Sequence, residues 1–488
     1  MKTYLPWVFP IILILISGCS MTFDGMDNQQ LILLLDNKSQ SRQFAIMDEL
    51  LKRQLSDTQY QDLAGKMPEI LEVPSQVLVK QKALELALQK YPDKAETWLC
   101  NALLNERLDV NVQKMYVDTL AEMHSVDSLG ALIYCGYPGR LHFQYQGDFV
   151  PPIQADYSHA IEKISGRPLD TFLLDVVGGG EMSETSGQKM NLQSNKVRLC
   201  ALYWLVQRQG RGMVATRLKK QSGNIDKELM VLWYWLDHFD YLPSNFSQYC
   251  NMAQMLDELA QEDLVKLKSI YNDLKLKGYM FEICDSWFIL NFKDQILASD
   301  RNMLINSINV KLQNIGHSKR RPTHRGASDD YLENFESQID SLSLVDLERI
   351  RMLIGWLEKR DNREILANIL KEDLYNENTE LGGLCMIEDG QLKFKVYMSG
   401  NAISDHAYVE NDKLWDDAVK CFSRWHCHAG ASQDNLPGPG IDDMRYVTYV
   451  KTPNLIITLL NDMNGLEFNI DYINPSGKVI DIGVYGSK

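Results

Sequence analysis

Apolar positions along most of this chain recur every three or four residues, and only the last quarter breaks the habit. Leu31, Leu34 and Leu35 begin one stripe, and Phe44, Ile46, Met47, Leu50 and Leu51 carry the next. This spacing puts the apolar side chains on one helix face, so it predicts amphipathic helices. Stripes at 77–89 and 95–103 continue the pattern to about residue 130. Residues 131–197 are punctuated by Gly130, Gly136, Gly139, Pro151, Pro152, Gly166, Pro168 and Gly178-Gly179-Gly180, and they read as a loop-rich insert. Helical stripes return at 199–206, 229–236, 256–276 and 295–312, then at 344–358 and 363–371. From about residue 380 the period falls to two. Runs at 382–387, 392–398, 420–428, 446–449, 455–460, 466–473 and 479–484 predict strands. Turn residues Asp389-Gly390, Asn464-Gly465 and Pro475-Ser476-Gly477 separate several of them.

The expected organisation is therefore multi-domain: a mostly α body at 29–314, a linker at 315–330, two helices at 331–361, and an α+β domain around a curved sheet at 362–488. A chain of 488 residues is too long for one hydrophobic core. A net charge of −15 argues against a nucleic-acid partner, which would need clustered Lys and Arg. The one basic run, Lys319-Arg320-Arg321 with Arg325, lies in the linker with His317 and His324, and both histidines read as solvated. Trp233, Trp235, His238, Tyr241 and Phe246 read as an aromatic core cluster. None of the nine cysteines falls in a CxxC pattern, and most of the eight besides Cys19, in apolar runs, read as free buried thiols.

Residues 1–18 carry a lysine and then an apolar run from Leu5 to Ile16, too short to span a bilayer and suited to a signal peptide. The run ends in Ile16-Ser17-Gly18-Cys19, which resembles a bacterial lipobox. That resemblance implies lipidation of Cys19, a tether at 19–28, and attachment to the cell envelope, with Ser20 favouring the outer membrane. The stretch Leu35-Asp36-Asn37-Lys38, followed by Arg42, Ala45 and Leu50-Leu51, resembles a turn plus helix of a HEAT-type repeat. An α-solenoid of this kind implies a protein or peptide partner.

Chemistry concentrates in the last domain. Trp425-His426-Cys427-His428 places two imidazoles on one strand face, a pattern suited to a transition metal. Upstream, Glu380-Leu381-Gly382-Gly383-Leu384 puts a carboxylate at the mouth of the first strand. Downstream, Pro437-Gly438-Pro439-Gly440-Ile441-Asp442-Asp443 ends an acidic loop. The order Glu, HxH, xxD resembles the JAB/MPN family of metallopeptidases and its JAMM motif. The resemblance implies a zinc ion on His426, His428 and Asp443, with Glu380 as general base for amide or isopeptide hydrolysis. Asp442 and Asp434 are alternative third ligands. Three positions depart from the family pattern: Ala429 replaces a proline, the loop before Asp443 is longer, and Gly440 stands where the family has a serine. A non-catalytic, lipid-anchored scaffold that only binds a partner is the competing expectation.

Overall fold

Helices form where the stripes predict them, and their ends are closed by specific side chains. In the computed structural model the described residues are 23, 25–36, 39–73, 75–105, 108–137, 153–178, 194–220, 229–317, 334–375, 380–399, 408, 410–429, 437–461 and 466–486. The signal-peptide segment, Cys19, Gly179-Gly180, His324, Asp434, the Asn464-Gly465 turn and most of the linker lie outside them. The chain is mostly helical with a C-terminal mixed sheet, and it divides into two compact units, 1–228 and 229–488.

In the first unit, Ser56 opens the helix Asp57–Glu72 with a capping box. Its hydroxyl accepts from Gln59 N–H, and the Gln59 side chain accepts from Ser56 N–H. The far end of that helix is closed by three later elements. Lys80 Nζ donates to Ile70 O at 2.5 Å, Tyr116 Oη to Leu71 O at 3.2 Å, and Asn105 Nδ2 to Glu72 O at 2.9 Å. A cation there meets the negative end of the helix dipole. Burial pushes the ammonium of Lys80, 0% exposed, down to about 8. From Gln40–Lys52 to Pro92–Leu103, each helix packs against the one two places on in the chain, so the apolar stripes face successive neighbours.

The stretch 131–197 differs from its expected loop character, for it contributes the helices Leu129–Gly136, Ile153–Ser165 and Leu169–Gly178. Gly136 is a packing residue rather than a turn. A Cβ there would lie 2.6 Å from Tyr157 Cβ and 2.9 Å from the Trp204 ring.

The second unit begins with helices from Met230–Phe239 to Arg360–Leu374. Trp235, Phe239, Tyr241, Tyr271 and Phe281 make its aromatic cluster, whereas Phe246 is exposed and outside it, and His238 stacks on Tyr234 at 4.4 Å. Deep in this unit Arg349 pairs with Asp285, which also accepts from Tyr279 Oη at 2.6 Å.

Six strands follow: β1 Gly382–Glu388, β2 Gln391–Tyr397, β3 Cys421–His428, β4 Asn454–Asn461, β5 Glu467–Ile473 and β6 Val479–Gly486. Their order is β2-β1-β3-β4-β5-β6, antiparallel except for the parallel pair β3 and β4. The β1–β2 hairpin turns through Asp389 and Gly390, both at positive φ (52° and 71°), as a two-residue turn matched to strand twist requires. Parallel strands need a crossover, and the helix Ile441–Val450 supplies it. Residues 446–449, expected as a strand, are thus helical. His317, expected to be solvated, is exposed, and it also pairs through Nδ1 with Asp481 Oδ2 at 2.8 Å, beside a bridge between Gly316 and Val484 on β6.

Among the described residues no helix is long and apolar enough to cross a membrane. Cys250 is exposed, and the other seven cysteines among them are buried; none of these eight is in a disulfide.

Candidate metal centre

Alternation along β3 decides which side chains meet. Trp425 and Cys427 face one side of the sheet, where Trp425 packs on Phe394 and Phe394 on Trp356. His426 and His428 face the other, their rings 5.1 Å apart. Burial pushes the Cys427 thiol well above its ordinary range, which disfavours the thiolate.

Glu380 is brought in by backbone pairing. Gly382 stands opposite His426 in the antiparallel register of β1 and β3. Leu381 extends that pairing: its carbonyl accepts from Cys427 N–H at 2.8 Å, and its N–H donates to the Asp373 carboxylate. Carried one residue further, the register puts Glu380 opposite His428. One metal-ligating atom from each of Glu380, His426 and His428 lies within 4.8 Å of the others, and the three residues are largely buried.

The two glycines after Glu380 are needed for close approach. A Cβ on Gly382 would meet the Tyr408 ring at 2.7 Å, and one on Gly383 would meet the Lys395 carbonyl oxygen of β2 at 2.0 Å.

Asp443 comes from the first turn of the crossover helix. Its Oδ2 accepts from Gly440 N–H at 2.6 Å, the helix-capping geometry that aims a carboxylate at a positive helix end. Oδ1 of the same carboxylate stands 3.2 Å from His426 Nε2, and Oδ2 stands 3.7 Å from His428 Nε2. Asp442, the alternative from the sequence, is 86% exposed and pairs with Arg445 at 3.1 Å.

Electrostatics follow from this contact. Burial opposes a charged His426, but the Asp443 carboxylate and its hydrogen bond outweigh burial and raise the imidazole to about 9. Burial likewise opposes a charged Asp443, yet the two imidazoles hold its carboxyl below the usual carboxylate range.

The donor set fits a metal ion. Two ligand atoms about 2.0–2.1 Å from one tetrahedral ion lie about 3.3 Å apart. The 3.2 Å between His426 Nε2 and Asp443 Oδ1 is close to that edge, and Glu380, His426 and His428 form a group, ligand atoms within 4.8 Å of one another, that could hold a metal ion. Nitrogen and carboxylate donors in this mixture suit a borderline divalent ion.

The sequence reading passed over the residues beneath the site. Arg424, 2% exposed, precedes His426 by two positions on the same sheet face and pairs with Glu410. Extending the period-two reading back from His426 is the signal that finds Arg424. Nothing local in the sequence points to Glu410, which is 14 residues away.

Comparisons with protein-family models, with curated proteins and with solved structures gave no match.

Proposed function

We propose that this chain is a lipid-anchored envelope protein whose C-terminal domain is a JAMM-like zinc hydrolase acting on an amide or isopeptide bond. The observation that carries this reading is the convergence of Glu380, His426 and His428, with Asp443 in contact with both imidazoles. His426, His428 and Asp443 hold the ion. Three protein ligands leave a position open, as catalytic zinc requires. A bound zinc supplies Lewis-acid polarisation of a carbonyl and acidification of water. Glu380 takes the proton of the attacking water and returns it to the leaving nitrogen as the C–N bond breaks. The anchor is Cys19, and the helices of the first unit, packed in sequence order, form a repeat-like surface for a protein partner.

Gly440 favours a second reading, a metal site that serves binding alone. It has no side chain, and its N–H is committed to Asp443. Lack of one oxyanion donor costs about 10²–10³ in rate.

Both readings are tested on the full chain. Under the hydrolase reading, metal-loaded protein cleaves members of a peptide and isopeptide library, and Glu380→Gln abolishes cleavage while keeping the metal. Under the second, metal binds and Glu380→Gln changes nothing measurable. Protein that takes up no metal contradicts both.

A further inference from the structure

The crossover helix has to hold Asp443 within contact distance of two imidazoles. On its apolar side Met444 and Val447 meet Ile456, Ile473 and Val479 of the sheet. Such contacts are non-directional; directional ones at the helix come from Asn245 Nδ2 to the Tyr449 carbonyl and Lys451 Nζ to the Pro475 carbonyl at its far end, and from Tyr446 nearer Asp443. One residue of slip moves a helical side chain by about 1.5 Å along the axis and turns it by about 100°. Either change would separate Asp443 from the imidazole 3.2 Å away.

We propose that Arg424, Glu410 and Tyr446 form a buried clamp that fixes this helix in the position where Asp443 meets His426 and His428, and thereby sets metal affinity. The proposal rests on the metal-site reading above. Tyr446 lies three residues after Asp443, so the two share one side of the helix. Its hydroxyl donates to the Glu410 carboxylate and accepts from Arg424 Nη1 at 2.9 Å. The same Nη1 pairs with Glu410, and the guanidinium lies over the Trp415 ring at 4.4 Å.

Arg424 itself stands two residues before His426, about 6.6 Å along the strand and on the same face. One strand therefore carries both imidazoles and the group that grips the helix bearing the carboxylate. The side chains of Arg424 and Glu410 are 2% and 10% exposed, so salt screens their attraction little. A buried ion pair adds little net stability as a rule, and its best-attested role is to fix register. That role is the one required here. None of the three residues needs to touch a ligand; each acts through Asp443 and is a positioning residue.

The test uses the full chain with Tyr446→Phe and Glu410→Gln, and with Asp443→Asn as the reference for a displaced carboxylate. Tyr472→Phe is the control. Tyr472 is a buried tyrosine that donates to Asp346 Oδ1 at 2.7 Å, and alternation along β5 puts it on the opposite face of the sheet. Zinc affinity is read by chelator competition, coordination by the visible absorption of the Co2+ form, and folding by circular dichroism. Tyr446→Phe and Glu410→Gln are expected to weaken zinc about tenfold, in the range found for groups that orient metal ligands. Their Co2+ spectra should move toward that of Asp443→Asn, while Tyr472→Phe keeps the wild-type affinity and spectrum. Wild-type affinity and spectrum in both clamp variants would overturn the clamp alone, as would an equal loss in Tyr472→Phe. Wild-type protein that binds no metal would overturn the metal reading and the clamp with it.

Discussion

Asparagine at position 443 separates charge from shape at the centre of the site. Asp443→Asn keeps the side-chain volume and keeps an oxygen able to accept the Gly440 N–H now bonded at 2.6 Å, so the helix start survives. What disappears is the charged carboxylate 3.2 Å from His426 Nε2 and 3.7 Å from His428 Nε2. Structural zinc bound by four ligands is worth about 10–16 kcal/mol near neutral pH, or about 3 kcal/mol per ligand. Removing one ligand should therefore weaken zinc binding about a hundredfold. The assay is competition against a chromophoric chelator at pH 7.5, with circular dichroism to verify that the variant is folded. An affinity within threefold of wild type would refute the assignment of Asp443 as a ligand.

Three further outcomes follow from the same geometry. Glu380→Gln should retain zinc and lower turnover about 10²–10⁴-fold on any substrate the wild type cleaves, the usual worth of a general base; loss of the metal instead would make Glu380 a ligand. Gly383→Ala puts a Cβ 2.0 Å from the Lys395 carbonyl, which belongs to strand backbone and cannot yield, so thermal unfolding should move to lower temperature by at least about 1–3 kcal/mol of stability. An unchanged midpoint would contradict that packing. His426, raised to about 9 in the metal-free fold, is protonated at pH 7.5 and must lose that proton to ligate, so calorimetry in buffers of different ionisation heat should report release of close to one proton. The sign is that of a raised imidazole. The ion pair stabilises metal-free protein fully below pH 6.5 and is lost as pH rises through about 9. Absence of any buffer dependence would contradict the pairing with Asp443.

The parts of this fold that were legible in the sequence are those governed by local periodicity. The strand ending in His426-Cys427-His428 and the Asp389-Gly390 hairpin follow from alternation and turn chemistry. Residues 446–449 misled because Tyr446, Val447, Thr448 and Tyr449 are all good strand formers. Tertiary context overrides that preference: β3 and β4 run parallel, and only a crossover can join them. Gly136 misled in the opposite direction, since a glycine demanded by Tyr157 and Trp204 looks, in sequence, like a glycine in a turn. The partnership of His317 with Asp481 spans 164 residues and leaves no local trace. The buried clamp behind the histidines was hidden for the same reason, apart from the position of Arg424 on the strand.

Metal content of the purified full chain tests the central claim most directly. After exposure to zinc and removal of the excess, wild-type protein should retain about one equivalent by elemental analysis, while the double variant His426→Ala, His428→Ala, verified as folded, should retain none. Wild-type protein without zinc, or a double variant that holds as much as wild type, would contradict the assignment of this site as a metal centre.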